Sequence, residues 1–271
     1  MDVDVRSRMV LLASVTACAA CAWRASAGPN LLVNPGAEAG PSGSVIPGWN
    51  TTGTYEVVGY DAGGGFPTLA DPGSPTRGMK FFAGGSSGPE SSAYQGIILS
   101  AYASAIDAGT QNGTLSGWIG GFSSQNDHCD VIATYHNQQG NLLAQQMIGG
   151  VRASERGSTT GMLFRTNTWA VPVGTRQVVV QVRMTREAGS YNDGYADDLS
   201  FSLSAACPCD LNGDGVVEDT DFTIFVAAYN VLDCAEPSMP PGCPADFNLD
   251  GVVDDADFQT FIAAYNELVC P

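Results

Sequence analysis

Near the end of the chain an acidic loop is written twice. Asp210, Asn212, Asp214, Glu218 and Asp221 stand at positions 1, 3, 5, 9 and 12 of a twelve-residue stretch, with Gly215 at position 6. Thirty-six residues later Asp246, Asn248, Asp250, Asp254 and Asp257 repeat the pattern around Gly251. Oxygen side chains at this spacing suit a hard dication. Ca²⁺ takes about six to eight oxygen ligands and needs a sharp turn at the sixth position of so short a loop. Glycine supplies the positive φ of that turn. The backbone carbonyls of Val216 and Val252, at position 7, complete the expected sets. Ca²⁺ is therefore the expected cofactor of both loops.

Each loop runs into the same apolar pattern. Phe222, Phe225, Val226 and Tyr229 fall at i, i+3, i+4 and i+7, as do Phe258, Phe261, Ile262 and Tyr265, which predicts one apolar helix face per copy. An EF-hand would also carry a helix entering each loop. Pro208 precedes the first loop, and Pro237, Pro240, Pro241 and Pro244 precede the second. Proline at that density stops a helix, so the unit is a loop followed by a helix, twice. Residues 207–271 thus resemble a type I dockerin, the duplicated Ca²⁺ module that docks secreted enzymes onto cohesin domains. A cohesin-like or other cell-surface protein is the partner this resemblance implies. Loop positions 10 and 11 read Asp219-Thr220 and Asp255-Ala256, which departs from the Ser-Thr-like pair of cohesin-binding members. The antiparallel helix packing of dockerins would set each loop beside the end of the other copy's helix. The resemblance then implies disulfides Cys207–Cys270 and Cys234–Cys243. Cys129 and Cys209 stay unassigned.

Residues 1–27 carry Arg6 and Arg8, an apolar run from Met9 to Cys21, and an Ala25-Ser26-Ala27 site. This predicts a cleaved export signal, too short to anchor in a bilayer. Val15-Thr16-Ala17-Cys18 would alternatively serve as a lipoprotein box, with Cys18 lipidated. A secreted or cell-surface location is expected, with no membrane span, and the matched cysteines fit an oxidising compartment. The net charge is −17. Most of it lies in the tail, where thirteen Asp and Glu face no Lys or Arg. That balance excludes nucleic acid as a partner.

Residues 28–206 suffice for one sizeable core. Arg176–Thr185, Asp130–His136 and Thr54–Tyr60 alternate apolar with polar, and Gly, Pro and Asn turns divide them. The expected fold is mainly β: an antiparallel sandwich, with a short helix over 100–106, followed by the small α-helical loop-helix pair. Asn30–Glu38 with Pro47-Gly48-Trp49, Ser116-Gly117-Trp118, and Tyr191–Phe201 resemble the opening, central and closing strands of galactose-binding-like jelly rolls, which include carbohydrate-binding modules. Such domains often hold a structural Ca²⁺ between first and last strands, and the resemblance assigns Glu38 and Asp197 to it, with Asp198 next. Otherwise Glu38 is a turn residue and Asp197-Asp198 a solvated pair.

Sugar binding needs aromatic faces and polar side chains beside them. Tyr60 and Phe66, flanking Gly63-Gly64-Gly65, are the expected platform. Trp49, Tyr55, Trp118, Tyr135 and Trp169 are weaker candidates, since large aromatics mostly serve cores. No nucleophile motif accompanies His128 or His136, and His128-Cys129-Asp130 reads as a strand start, since neighbours on a strand point to opposite faces. Glu56, Asp61, Asp107, Asp127 and Asp130 could supply a glycosidase pair, but the spacing shows no pairing. The reading is a secreted, non-catalytic glycan-binding module, polysaccharide its ligand, with a Ca²⁺-binding tail for attachment. The alternatives are an extracellular structural protein whose tail Ca²⁺ only stabilises, and a polysaccharide-acting hydrolase.

Overall fold

The valine ladder of residues 177–185 turns Val178, Val180, Val182 and Met184 into a core and leaves Gln177, Gln181 and Arg183 on the opposite face. Nine more strands accompany it in the computed structural model, which describes residues 28–86, 88–207, 209–212, 216–248 and 250–267. The export signal read over 1–27, Asp214 and Cys270 lie outside the described residues.

Two antiparallel sheets pack face to face, with strands numbered in chain order. Sheet one runs β1 (Asn50–Thr52), β4 (Glu90–Ile98), β9 (Gln177–Thr185), β6 (His128–His136) and β7 (Leu142–Gly149). Sheet two runs β2 (Glu56–Gly59), β3 (Lys80–Gly85), β10 (Asn192–Ala205), β5 (Gln111–Gly121) and β8 (Gly161–Ala170). Trp49, Tyr55, Phe82, Leu115, Val131, Tyr135, Val180 and Phe201 are buried between them. Gly85, at φ +88°, shows how tight one edge is: a β-carbon there would lie 1.7 Å from the Thr54 carbonyl oxygen. After β4 a short 3₁₀ turn leads into α1 (Ala103–Asp107), as the sequence predicts.

The opening motif has a clear physical task. The Asn30 amide donates to Leu199 O at 2.9 Å, and its oxygen accepts the Phe201 N–H, so the first residues lie along β10. Buried Gln95 does the same from sheet one, accepting the Val33 N–H and donating to Val33 O. One asparagine and one glutamine thus bind the start of the sandwich to both sheets.

Sheet two has a second core on its outer side. The segment from Ala62 to Gly78 folds back over this cluster, setting Phe66 against Phe81 and Tyr195, Arg77 over Tyr60 and the Pro72 carbonyl on the Met162 N–H. Phe66 packs against this cluster, 5.1 Å from the Tyr191 ring and 6.2 Å from Phe81. The outer side of sheet one has no such lid among the described residues.

β10 ends at Ala205 and the tail starts at once. No helix enters either loop among the described residues, as the prolines predict. α2 (Asp219–Tyr229) and α3 (Asp255–Glu267) follow the loops. The helices run antiparallel: Phe225 and Phe261 stack at 5.0 Å near mid-helix. At the two ends Tyr229 donates to Asp255, 2.6 Å away, and Tyr265 donates to Asp219. Loop two lies beside the end of α2, with Cys234 N–H on Gly251 O and Val253 N–H on Leu232 O. Cys234 and Cys243 are disulfide-bonded, Cα atoms 5.4 Å apart, as the antiparallel packing implies. Cys207 is also disulfide-bonded, and Cys270, its expected partner, lies outside the described residues. Cys129 and Cys209 are free and buried.

Candidate functional site

The residues singled out by the sequence lie in the tail loops, at the corner where first and last strands meet, and in the second core of sheet two. In the tail, the position-12 aspartates are wholly buried and act on the backbone. Asp221 accepts N–H groups from Leu211, Asn212 and Glu218 at 2.7–2.9 Å. Asp257 accepts those of Phe247, Asn248 and Asp254. An ionised carboxylate offers about four lone-pair sites, so each keeps capacity for a cation. In loop two the Asp250 N–H lies 3.2 Å from Asp246 Oδ1 and 2.9 Å from Asn248 Oδ1. Asp250 in turn accepts the Val252 N–H and the Asn248 amide. Positions 1, 3 and 5 therefore converge, and Gly251, at φ +92°, makes the turn at position 6. A donor set of oxygens alone, with no cationic side chain in the module, fits Ca²⁺. Cys234, Cys243 and Asp246 also crowd together, but the two sulfurs are spent in their disulfide.

The strand corner is occupied differently. Asp197 Oδ2 accepts the Tyr60 hydroxyl at 2.6 Å, and its Oδ1 accepts the Asp198 N–H. Glu38 Oε1 accepts the N–H groups of Met79 and Lys80, both at 2.8 Å. The Lys80 ammonium donates to the carbonyls of Glu38 and Gly40 at 3.1 and 2.5 Å. Asp198 accepts the hydroxyls of Ser74 and Thr76 and is no solvated partner. Glu38 and Asp197 do meet at one corner, but protein donors and a lysine charge serve it. Each of these carboxylates takes two protein donors, fewer than Asp221 or Asp257, and the Lys80 ammonium is held by backbone carbonyls. Burial is the main reason the Asp197 carboxyl is pushed up to about 7, and the charges of Asp198 and Glu38 add to it.

Tyr60 is a correction. It is 3 % exposed, with Arg77 stacked 5.5 Å from its ring centre, and cannot serve as a platform. Phe66 is half-buried in the second core, although it lines a shallow cleft with Tyr191 and Phe122. Gly63-Gly64-Gly65 frees that loop to fold inward onto sheet two. Trp49, Tyr55 and Tyr135 are core.

What the sequence missed is the outer face of sheet one. Register aligns Asn50, Tyr94, Gln181, Ile132 and Met147 across all five strands. A second row holds Ser92, Arg183 and Asp130, and a third Gly96, Val179, Thr134 and Gln145. Tyr94 is 40 % exposed in this field of amides and hydroxyls. Gln181 donates to Ser92, and Arg183 to Asp130 at 2.7 Å. His128, the first residue of β6, lies 3.8 Å from Asp130, beside the Arg152–Glu187 pair. The uncovered half of sheet two carries Ser and Thr, with Thr114 and Thr168 bonding each other, and the Trp118–Phe164 ring pair at 5.8 Å. Tyr94 could have been found from the alternation of 90–98, had the open side of the sheet been known.

No family model and no curated protein matches the chain. Solved structures do. The enzymatically active domain of bacteriophage CBA120 tailspike protein 4 is 18 % identical over 64 % of this chain, with a TM-score of 0.41. The chain covers 21 % of that domain, about a fifth of its length. Family 16 Carbohydrate Binding Module-2 is 20 % identical, covering 64 % of this chain and 99 % of that one, TM-score 0.37. The CBM22-1 xylan-binding domain of Paenibacillus barcinonensis Xyn10C is 12 % identical, covering 67 % and 97 %, TM-score 0.35. Likenesses this distant assign neither ligand nor reaction to this chain. Among the described residues no helix is long and apolar enough to cross a membrane.

Proposed function

We propose that this is a secreted, non-catalytic glycan-binding protein whose sandwich holds polysaccharide on the outer face of sheet one and whose Ca²⁺-loaded, dockerin-like tail attaches it elsewhere. The observation that supports this reading is the Tyr94 row: an exposed aromatic ring flanked by Asn50 and Gln181 on a sheet face without a lid among the described residues. Aromatic faces take the C–H side of a sugar ring, while amides both donate to and accept from its hydroxyls. Four of the five candidate carboxylates have protein partners, which supports binding over hydrolysis, while exposed Asp61 shares a cleft with Glu56. Asp107 is bound by Arg176, Asp130 by Arg183, and Glu56 by the Tyr191 hydroxyl. Buried Asp127 accepts the N–H groups of Glu187, Ala188 and Asp193. The tail offers a cleft of about 230 Å³ lined by Phe222, Phe225, Tyr229 and Phe258 with Asp255 at its rim. In a module without Lys or Arg, that cleft suits an apolar, basic face on a cohesin-like or cell-surface partner.

The test is retention on neutral and acidic polysaccharides by the full chain and by Tyr94→Ala. Losing an aromatic contact of this kind should weaken binding about tenfold, roughly 1.4 kcal/mol, with an unchanged melting temperature. Equal retention of both proteins would place any glycan site elsewhere.

A further inference from the structure

We propose that the outer face of sheet one ends in a subsite for the terminal residue of an uncharged glycan, so that the protein reads a chain end and not a chain interior. The inference rests on the glycan reading of this face. Ile98, Gln177 and His136 stand in one register at the far end of the sheet. Beyond them the turn between β6 and β7 closes on itself. The Asn137 side-chain oxygen accepts the N–H groups of Gln139 and Asn141 at 3.0 and 2.9 Å, and the Asn137 N–H bonds Asn141 O. This turn, with Arg176 and Gln177, bounds a pocket of about 280 Å³. That is just under the roughly 300–1,000 Å³ of sites for drug-sized ligands, and suits one sugar ring.

A path leads to the pocket from the aromatic row. On β4, Gly96 leaves no side chain between Tyr94 and Ile98. The Gln177 amide instead lies across the gap, with its nitrogen 2.9 Å from where a β-carbon at Gly96 would sit. From Tyr94 to Ile98 is four residues, about 13 Å at roughly 3.3 Å each. A ligand stacked on Tyr94 therefore extends along β4 until the turn stops it.

The lining chemistry selects the ligand class. Gln138, Gln139 and Gln177 present amides, which donate and accept without charge. Arg176 brings a guanidinium, but Asp107 holds it at both nitrogens, 3.0 and 2.6 Å away, and balances it. Ile98, 67 % exposed, supplies an apolar wall for the C–H face of a ring. A neutral, donor-and-acceptor lining with one apolar side matches a polyol ring. A uronate would leave its carboxylate without a free cationic partner.

Competition on the full chain tests this. The protein with Ca²⁺ is bound to immobilised xylan, galactan, mannan and β-glucan. The best-retained polymer is then competed with its own trisaccharide, its hexasaccharide and the soluble polymer. Inhibition should follow the number of chain molecules, so the trisaccharide should outperform the polymer at least tenfold at equal mass. A Gln139→Ala, Gln177→Ala double variant should lose that advantage while keeping the wild-type melting temperature. Inhibition proportional to total sugar units would overturn the chain-end assignment and leave the platform standing. Stronger competition by polygalacturonate would overturn the uncharged assignment. Retention on none of the polymers would refute the glycan reading itself, and this inference with it.

Discussion

Asp197 is the residue whose surroundings have the most measurable consequence. It is fully buried, and its folded pKa of about 7 lies far above that of an exposed aspartate. Between its ordinary value and about 7 the folded chain therefore binds a proton that the unfolded chain has released. Stability from this group is complete at low pH and is lost as pH rises through about 7. With chelator present, thermal melting should show the sandwich weakening from about pH 4 towards pH 8, and Asp197→Asn should flatten that slope. A slope that disappears on adding Ca²⁺ to the wild type would show a metal on Asp197. The same neighbourhood shows what alternation conceals. Tyr60 alternates with Tyr55 and Val57 and so stands on the outer side of sheet two, where it is buried and not the expected platform. Nothing in the local period tells that residues 62–78 return to cover that side. Tyr94 is the mirror case: it also faces outward, from a sheet that stays open. Strand period reveals which residues share a face, while the cover over a face is set by contacts distant in sequence.

At the scale of elements, the tail is the most legible part, because a repeat shows each position twice. Loop-then-helix order, the glycine turn and the Cys234–Cys243 link follow from the duplicated pattern and its antiparallel packing. The latches between Tyr229 and Asp255 and between Tyr265 and Asp219 were not legible, since each joins loop position 10 of one copy to the helix of the other. The position-12 aspartates organise each loop through three backbone N–H groups. Asp257→Ala leaves those donors short of a partner, a cost of about 1–3 kcal/mol for each that stays buried. Clustered carboxylates also repel one another until a cation arrives. Far-UV dichroism of the full chain should therefore show helix gained on moving from chelator to Ca²⁺, and Asp257→Ala should shift that midpoint at least tenfold. A helix signal indifferent to metal in both proteins would mean that the aromatic contacts between α2 and α3 suffice alone.

At the scale of the whole molecule, the exit of the chain from the sandwich determines how a pull is borne. A protein held by glycan on sheet one and by a partner on its tail is under tension, and the force enters the sandwich at Ala205. That residue ends β10, the longest strand, with fourteen residues. β10 is flanked by β5 over most of its length, by β3 at its start, and by the backbone of Gly28 and Leu31 near its end. A load along its axis must slide the strand past its neighbours, straining many hydrogen bonds together instead of peeling them singly. In single-molecule pulling between a glycan-coated tip and a tethered C-terminus, a Cys207→Ser chain should yield first in the tail, at a force that Ca²⁺ raises, whereas a Cys207–Cys270 link in the wild type should carry the load past the tail. The sandwich should yield later, and Cys234–Cys243 should keep the chain between those cysteines from adding to the tail's extension. The line by which such a tether would be loaded is thus the axis of β10.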